Sequence, residues 1–306
     1  MSEQFCVVGS INMDLVVRVD RFPQPGETRG GQKFGTYPGG KGANQAVALA
    51  RLGARVSMAG KVGDDVFGKS YLETFSREKV HHALVEMESG STGVAVIEVN
   101  QSGENHIIIV PGANGRMDRK YVDRHFTAIS EAEYVLFQLE IPTETTAYAL
   151  QRLKTSGCTT ILDPAPAPET GLPQELLQHV DILTPNESET AALTGIAVTD
   201  HATAEQAGRR LLDLGISMVV IKAGASGAYI VDRDGVRIVD GIEVEVADTT
   251  AAGDAFNAGM AFALGNGAEL TEAVRYGNAV GAMACTALGA QSAMPRAEEV
   301  QKLREG

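Results

Sequence analysis

The 306-residue sequence predicts an α/β protein, a doubly wound, mostly parallel sheet flanked by helices and carrying a small β-sheet lid. Three observations predict it. Helix-like stretches alternate with short β-branched apolar runs, and glycines mark the joins between them. Residues 14–37 and 92–110 break that rhythm, with alternating strand-like patterns and no helix between them.

FCVVGSI (5–11) is an apolar run closed by Gly and Ser, which suits a buried first strand. ANQAVALARLGA is followed by VSMAGKVG, TETTAYALQRLKTSG by CTTILDPAP, and AEQAGRRLLDLGI by SMVVIKAG. Each pair reads as helix, glycine, strand. YVLFQLE and VDILTPN are further strands of the same kind. In TGVAVIEVNQSGENHIIIV the turn falls at QSGEN between two alternating runs, a hairpin. With residues 14–42 it forms the expected lid, approximately 14–42 and 91–111, on a single domain spanning 1–306. No linker composition divides the chain, and no internal repeat occurs.

Hydrophobic residues make up 44% and charged residues 21%, an ordinary globular balance. The net charge of −13, with no Lys/Arg run, disfavours nucleic acid and anionic lipid as partners. Cys6, Cys158 and Cys285 are widely spaced, so neither a disulfide framework nor a zinc site is expected, and a reducing cytoplasm is the simplest compartment. MSEQFCVVGSINMD is too acidic and too poor in apolar residues for a signal peptide. The uncharged stretch 276–295 contains Gly, Asn, Gln and Pro and reads as a buried helix, not a membrane span.

FGTYPGGKGANQAVALARLG (34–53) nearly spells a phosphate loop, with Gly35, Gly40 and Lys41 in place. Gly42 stands where a Walker A loop has Ser or Thr, which removes the usual magnesium ligand. The preceding PGETRGGQKF is polar and glycine-rich, so no buried strand is expected to feed the loop. What remains is a Gly39–Gly40 pair that lets backbone approach a ligand, Lys41, and Asn44, either a ligand or a helix cap. In VADTTAAGDAFNAGMAFALG (246–265) the small residues Ala251, Ala252 and Gly253 precede an apolar helix opened by Asp254. Unpaired N–H groups there can hold an anion. Asp254 is either a favourable first-turn acid or a base facing a hydroxyl nucleophile.

TPNESETAALTG places Asn186 and Glu189 three apart at a helix start, suited to a shared cation or phosphate, or to capping. IKAGASGAYIV is strand, glycine turn (Gly224, Gly227), strand, and could lie along a nucleotide. GSINMD puts Asn12 and Asp14 at the carboxyl end of the first strand, where such sheets bind ligands. No G-x-G-x-x-G follows that strand, which argues against a dinucleotide site.

GSINMD, GGKGANQA, QLEIP, DPAP, TPNESE, KAGASG, DTTAAGD and GAQSAMP, in this order over essentially the whole chain, resemble the ribokinase-like PfkB family of carbohydrate and nucleoside kinases. The resemblance implies a ribokinase-like fold and ATP-dependent phosphorylation of D-ribose at O5. Asp254 would be the general base, with the amides of Ala251, Ala252 and Gly253 as anion hole. Asn12, Asp14, Gly40, Lys41, Gly42, Asn44 and Glu140 would hold the sugar. Asn186, Glu189, the stretch Lys222, Ala223, Gly224, Ala225, Ser226 and Gly227, and Asn278 would line the ATP site, with Glu189 helping to order Mg2+. Asp248, Thr250, Ala284, Ala287 and Gly289 match a monovalent-cation site for K+.

Some positions depart from the family pattern. Ala251 replaces a frequent Gly, which a methyl tolerates if φ is negative there. Ser292 is followed by Ala293 at the outer cation ligand, and Asn278 replaces a frequent ring that would stack on adenine. The outer face of the lid is expected to pair with a second chain, giving a homodimer. The rival readings are the same chemistry on deoxyribose or another sugar, and a sugar- or nucleotide-sensing module without turnover.

Overall fold

β1 (Phe5–Val8) is buried on both faces and lies in the interior of the main sheet, third from one edge. The structure, a computed structural model, describes residues 4–168 and 171–305; the first three residues of the N-terminal stretch discussed above lie outside the described residues. The other strands of this sheet are β4 (Val56–Gly63), β5 (His81–Glu88), β8 (Tyr134–Phe137), β9 (Thr159–Leu162), β10 (Ile182–Leu183), β11 (Met218–Lys222), β12 (Ala228–Asp232) and β13 (Gly235–Val239). Their order is β13-β12-β11-β10-β9-β8-β1-β4-β5. It is parallel from β11 to β5, and the β12–β13 hairpin adds two antiparallel strands at one edge.

Alternation along the strands sends side chains to two cores. Phe5 and Val7 join α1 (Lys41–Arg51), α2 (Val66–Glu78), α8 (Ala252–Gly265), α9 (Leu270–Ala284) and α10 (Ala297–Glu305) on one face. Cys6 and Val8 join α3 (Arg119–Ser130), α4 (Thr143–Leu153), α5 (Gln174–Leu177), α6 (Glu187–Thr194) and α7 (His201–Leu212) on the other. The uncharged 276–295 stretch supplies most of α9, packed in the first core. No helix among the described residues is long and apolar enough to cross a membrane.

The second sheet has the order β3-β2-β6-β7, from β2 (Asn12–Arg18), β3 (Lys33–Gly39), β6 (Gly93–Val99) and β7 (Asn105–Val110). It comes from the two segments that break the helix–strand rhythm, and Asn100 to Glu104 form the hairpin turn. The 40–42 loop follows a strand, β3, but not a buried one. That strand is mostly exposed and belongs to the small sheet, so it lacks the apolar run by which a buried strand is recognised.

Sheet order reverses at β1, with later strands added on one side and β4 and β5 on the other. Ligands of open α/β sheets bind at the carboxyl ends of the strands beside such a switch point. Asn12 follows β1, Glu140 follows β8, Asp163 follows β9, Asn186 follows β10, and Lys222 ends β11. The topology therefore gathers five polar residues from distant segments along one rim.

Candidate active site

That rim forms the floor of a cavity of about 750 Å3. α1 and α8 aim their N-termini into it, and Ala95, Ile97, Ile107 and Ile109 of the small sheet form an apolar wall. The register pairs Ala95 with Ile109 and Ile97 with Ile107, so all four share one face. A second cavity, of about 350 Å3, adjoins it beyond the glycine turn and is lined by Ile242, Val244, Phe256 and Asn278, among others. Lys222, Gly224, Thr249, Ala252 and Gly253 line both.

Asp254 lies in the first turn of α8 and is 3% exposed. Asn44 Nδ2 donates to its Oδ2 at 2.9 Å, and Gln45 Nε2 donates to its Oδ1 at 3.2 Å. Gln138 Nε2 in turn donates to Gln45 Oε1 at 2.7 Å. Burial pushes the Asp254 carboxyl up to about 6; the Lys41 ammonium opposes that rise and the Asp163 charge adds to it. Asn44 is thus no cap: α1 starts at Gly40 without a side-chain cap, and Asn44 points across to α8.

Glu140 Oε2 accepts from Ser10 Oγ at 2.6 Å, from the Lys41 N–H at 3.1 Å and from Asn12 Nδ2 at 3.3 Å. Asn114 Nδ2 donates to Asn12 Oδ1 at 2.7 Å, which fixes which end of the Asn12 amide faces Glu140. Asp14 is pushed up to about 7, by burial first and then by the charges of Glu140 and Asp254. Gly39 makes room for it, since a Cβ there would lie 2.2 Å from Asp14 Oδ2. Burial works against the charge on Lys41, but the carboxylates of Asp254, Asp163, Glu140 and Glu189 outweigh it and hold the ammonium above its usual range.

Asn186 and Glu189 form a reciprocal capping box at the start of α6, with both bonds at 2.8 Å. Both residues also line the cavity, so capping and ligand lining coexist. Burial and the Asp163 charge raise Glu189, and Lys222 opposes them. Lys222 Nζ donates to Asp163 Oδ1 at 2.8 Å.

Several expectations need correction. Gly42 does not line the cavity: it packs on the chain after β1, where a Cβ would lie 2.7 Å from the Ser10 nitrogen. Ala223 and Ser226 line neither cavity, because the glycine turn presents Gly224, Ala225 and Gly227 instead. Ala251 has φ of 59°, in the left-handed region, so the condition of a negative φ under which a methyl is readily tolerated is not met. It is the N-cap of α8, where the chain must reverse from the 246–250 segment into the helix. Of the three expected anion-hole amides, Ala252 N–H is engaged by the Thr249 carbonyl at 3.2 Å; Ala251 and Gly253 N–H, like that of Asp254 after them, have no acceptor among the described residues. Asn278 donates to the carbonyls of Val239 (3.1 Å) and Asp240 (3.0 Å), so it ties down the wall of the second cavity.

At the expected cation site, Asp248 Oδ1 accepts from Thr250 and its Oδ2 accepts from the Gly289 N–H at 2.8 Å, which draws the 285–290 loop to it. No cluster of three or more His, Cys, Asp or Glu among the described residues could hold a metal. A cation there would rest on Asp248 and on backbone carbonyls.

Residues 2–297 match the pfkB family of carbohydrate kinases. The chain is a pfkB-family carbohydrate kinase. It is 40% identical to a ribokinase of Haemophilus influenzae over 306 residues, which covers 100% of this chain and 99% of the relative. It is 38% identical to a ribokinase of Bacillus subtilis, over 97% and 98% of the two chains. Among solved structures, the ribokinase of Thermotoga maritima superposes with a TM-score of 0.92 at 38% identity, covering 99% of this chain and 100% of that one. The Arabidopsis thaliana ribokinase complexed with ribose and ATP gives 0.93 at 34% identity, with 100% of each chain covered. This family member keeps the acid, the glycine loop and the DTTAAGD turn together on one cavity. Gln45, Gln138, Ser10, Asn114 and Asp163 complete the constellation and were not singled out from the sequence.

Proposed function

We propose that this chain transfers the γ-phosphoryl group of ATP to O5 of D-ribose, giving D-ribose 5-phosphate. One observation carries the reading: a buried carboxylate at a helix N-terminus, held by two amides, faces a cavity with sugar-sized polar walls. The similarity to ribokinases, one of them complexed with ribose and ATP, supports it.

Asp254, with its carboxyl near 6, is ionised at neutral pH yet basic enough to take the O5 proton. Asn12, Asp14, Lys41, Asn44 and Glu140 fix the sugar, and the apolar wall of the small sheet closes over it as a lid, excluding water. The Ala251 and Gly253 amides form an anion hole for charge developing on the phosphoryl oxygens. The second cavity takes the adenine, and Asn186 with the turn Gly224 to Gly227 follows the phosphates. Glu189, whose Oε2 accepts from the Asn186 N–H, would help order Mg2+, which would supply charge neutralisation on the ATP phosphates. K+ would rest on Asp248 and the carbonyls of Thr250, Ala284, Ala287 and Gly289, steadying the turn that presents the anion hole.

The outer face of the small sheet carries Phe34 and Ile108, 63% and 66% exposed, and we assign it to pairing with a second copy in a homodimer. Three free thiols support a reducing compartment, the cytoplasm.

The test is ATP consumption over a panel of pentoses, hexoses and nucleosides, with and without K+, for the wild type and Asp254→Ala. Ribose-dependent turnover that falls at least 100-fold in Asp254→Ala is the expected result. Turnover on deoxyribose but not ribose would change the substrate, and ribose turnover that survives in Asp254→Ala would remove the base.

A further inference from the structure

Two lysines, Lys41 and Lys222, line the large cavity against six carboxylates, Asp14, Glu140, Asp163, Glu187, Glu189 and Asp254. Such a wall opposes a polyanion unless a cation is placed where the phosphates lie. Lys41 stands among the acids at the sugar end, its charge sustained by Asp254, Asp163, Glu140 and Glu189. Lys222 sits elsewhere: it lines both cavities, so its ammonium marks their junction.

Three features fix it there. Its backbone N–H donates to the Pro185 carbonyl at 2.8 Å, which aligns the end of β11 beside Asn186. Its Nζ pairs with Asp163 Oδ1 at 2.8 Å, with the two side chains 12% and 3% exposed. Its Nζ also lies over the first turn of α8, where a Cβ on Gly253 would come within 3.3 Å of it. A larger residue at 253 would crowd the ammonium, and Gly253 leaves it facing the junction that both residues line.

Resting on the kinase reading above, we propose that Lys222 is a catalytic residue that contacts the transferring phosphoryl group, and that Asp163 is the positioning residue that holds it at the junction. The reaction forms the bond between sugar O5 and Pγ and breaks the bond between Pγ and the β,γ-bridging oxygen. The electron pair leaves with ADP, and the hydroxyl proton goes to Asp254. With the nucleoside in the smaller cavity and the sugar in the larger, Pγ passes through the space between them. A fixed ammonium there acts on charge that grows on the phosphoryl oxygens and on the leaving oxygen. An exposed lysine would have to be immobilised first; the buried partner removes that cost.

Lys222→Met, Asp163→Asn and the double variant test it, each checked for folding by its thermal midpoint. Lys222→Met strands a buried carboxylate beside the phosphates, so it should be the worst of the three, with kcat reduced at least 100-fold and ribose KM within threefold. Asp163→Asn should reduce kcat about tenfold. The double variant should recover about tenfold over Lys222→Met, because it removes the stranded charge. Lys222→Arg should retain more activity than Lys222→Met.

A kcat for Lys222→Met within threefold of wild type, or effects of the two single changes that simply multiply, overturns the proposal. Calorimetric binding of a non-hydrolysable ATP analogue and of ADP, both with Mg2+, is a readout independent of turnover. Lys222→Met should erase most of the wild type's preference for the triphosphate, and an unchanged preference overturns the proposal even if no sugar is turned over. Wild type without turnover on any sugar would instead fail the kinase reading, which separates the two outcomes.

Discussion

The Asn44 side-chain amide donates to Oδ2 of Asp254 across 2.9 Å, linking α1 to α8 between residues 210 positions apart. Gln45 holds the other oxygen, so the acid that faces the cavity has both oxygens addressed by the helix that starts at the glycine loop. Loop and acid are therefore one unit in space, although sequence separates them.

That unit sets a pH dependence. Asp254 acts as a base only when ionised, and its carboxyl sits at about 6. The value of kcat/KM should rise with pH through about 6 and level off above 7. Asn44→Ala removes a hydrogen bond to the ionised form, worth about 1.5–3 kcal/mol, so the acidic limb should move up by about one unit or more. A pH–rate profile of both proteins checks this; an unmoved limb would show that Asn44 does not stabilise the ionised acid.

Asp14 should make stability depend on pH in the opposite sense from an ion-paired acid. Its folded value, about 7, lies above the ordinary 3.8, so the native state holds the proton more tightly than the unfolded chain does. The stability this contributes is complete below about 4 and is lost as pH rises through about 7. Asp14→Asn should accordingly stabilise the fold at pH 8, by on the order of 2 kcal/mol, and change little at pH 4. Urea unfolding at the two pH values measures it, and equal effects at both would contradict the linkage.

Ala251→Gly should separate stability from activity. A left-handed alanine costs roughly 1–2 kcal/mol, and glycine returns part of that gain through its freer unfolded chain, leaving about 0.5–1 kcal/mol of net stabilisation. The same freedom loosens the turn before Asp254, so kcat should fall a few-fold while the thermal midpoint rises. A fall in midpoint would refute the strain at this position.

Ile108→Lys on the outer face of the small sheet should convert a dimer to monomer, since it places a charge on the most exposed isoleucine of β7. Sedimentation velocity at several concentrations is the measurement. A wild type that stays monomeric throughout would remove the pairing assigned to this face.

Much of this architecture is legible because local patterns and global fold agree. β1 and β4 are apolar runs followed by glycine, and the β6–β7 hairpin is announced by its turn. β5 and β13 went unread because each mixes charged and apolar residues at a sheet edge, where one face is wet. In the site, Asp254 and the glycine loop stand out because a run of small residues beside a polar side chain at a helix start marks a close backbone approach. Gln45 and Gln138 do not: each sits inside or at the end of an apolar run, and only the fold reveals that their amides meet. Asp163 has the same difficulty, since its partner lies 59 residues away on another strand. The left-handed backbone of Ala251 is not legible in the sequence, because it depends on how the chain enters α8, which no side chain signals.

The small sheet is tied to the rest of the molecule along a single edge. β3 ends at Gly39 opposite Asn12, Gly93 also pairs with Asn12, and Val110 lies beside Val94. All four chain crossings thus fall on one line, as on a flap sewn along one seam. Residues beyond that seam can be lengthened, shortened or exchanged without rethreading any strand of the central sheet. New sugar preferences could be grafted here by replacing 15–36 and 95–109 as a cassette, while the acid, the helix N-termini and the nucleotide cavity stay as they are.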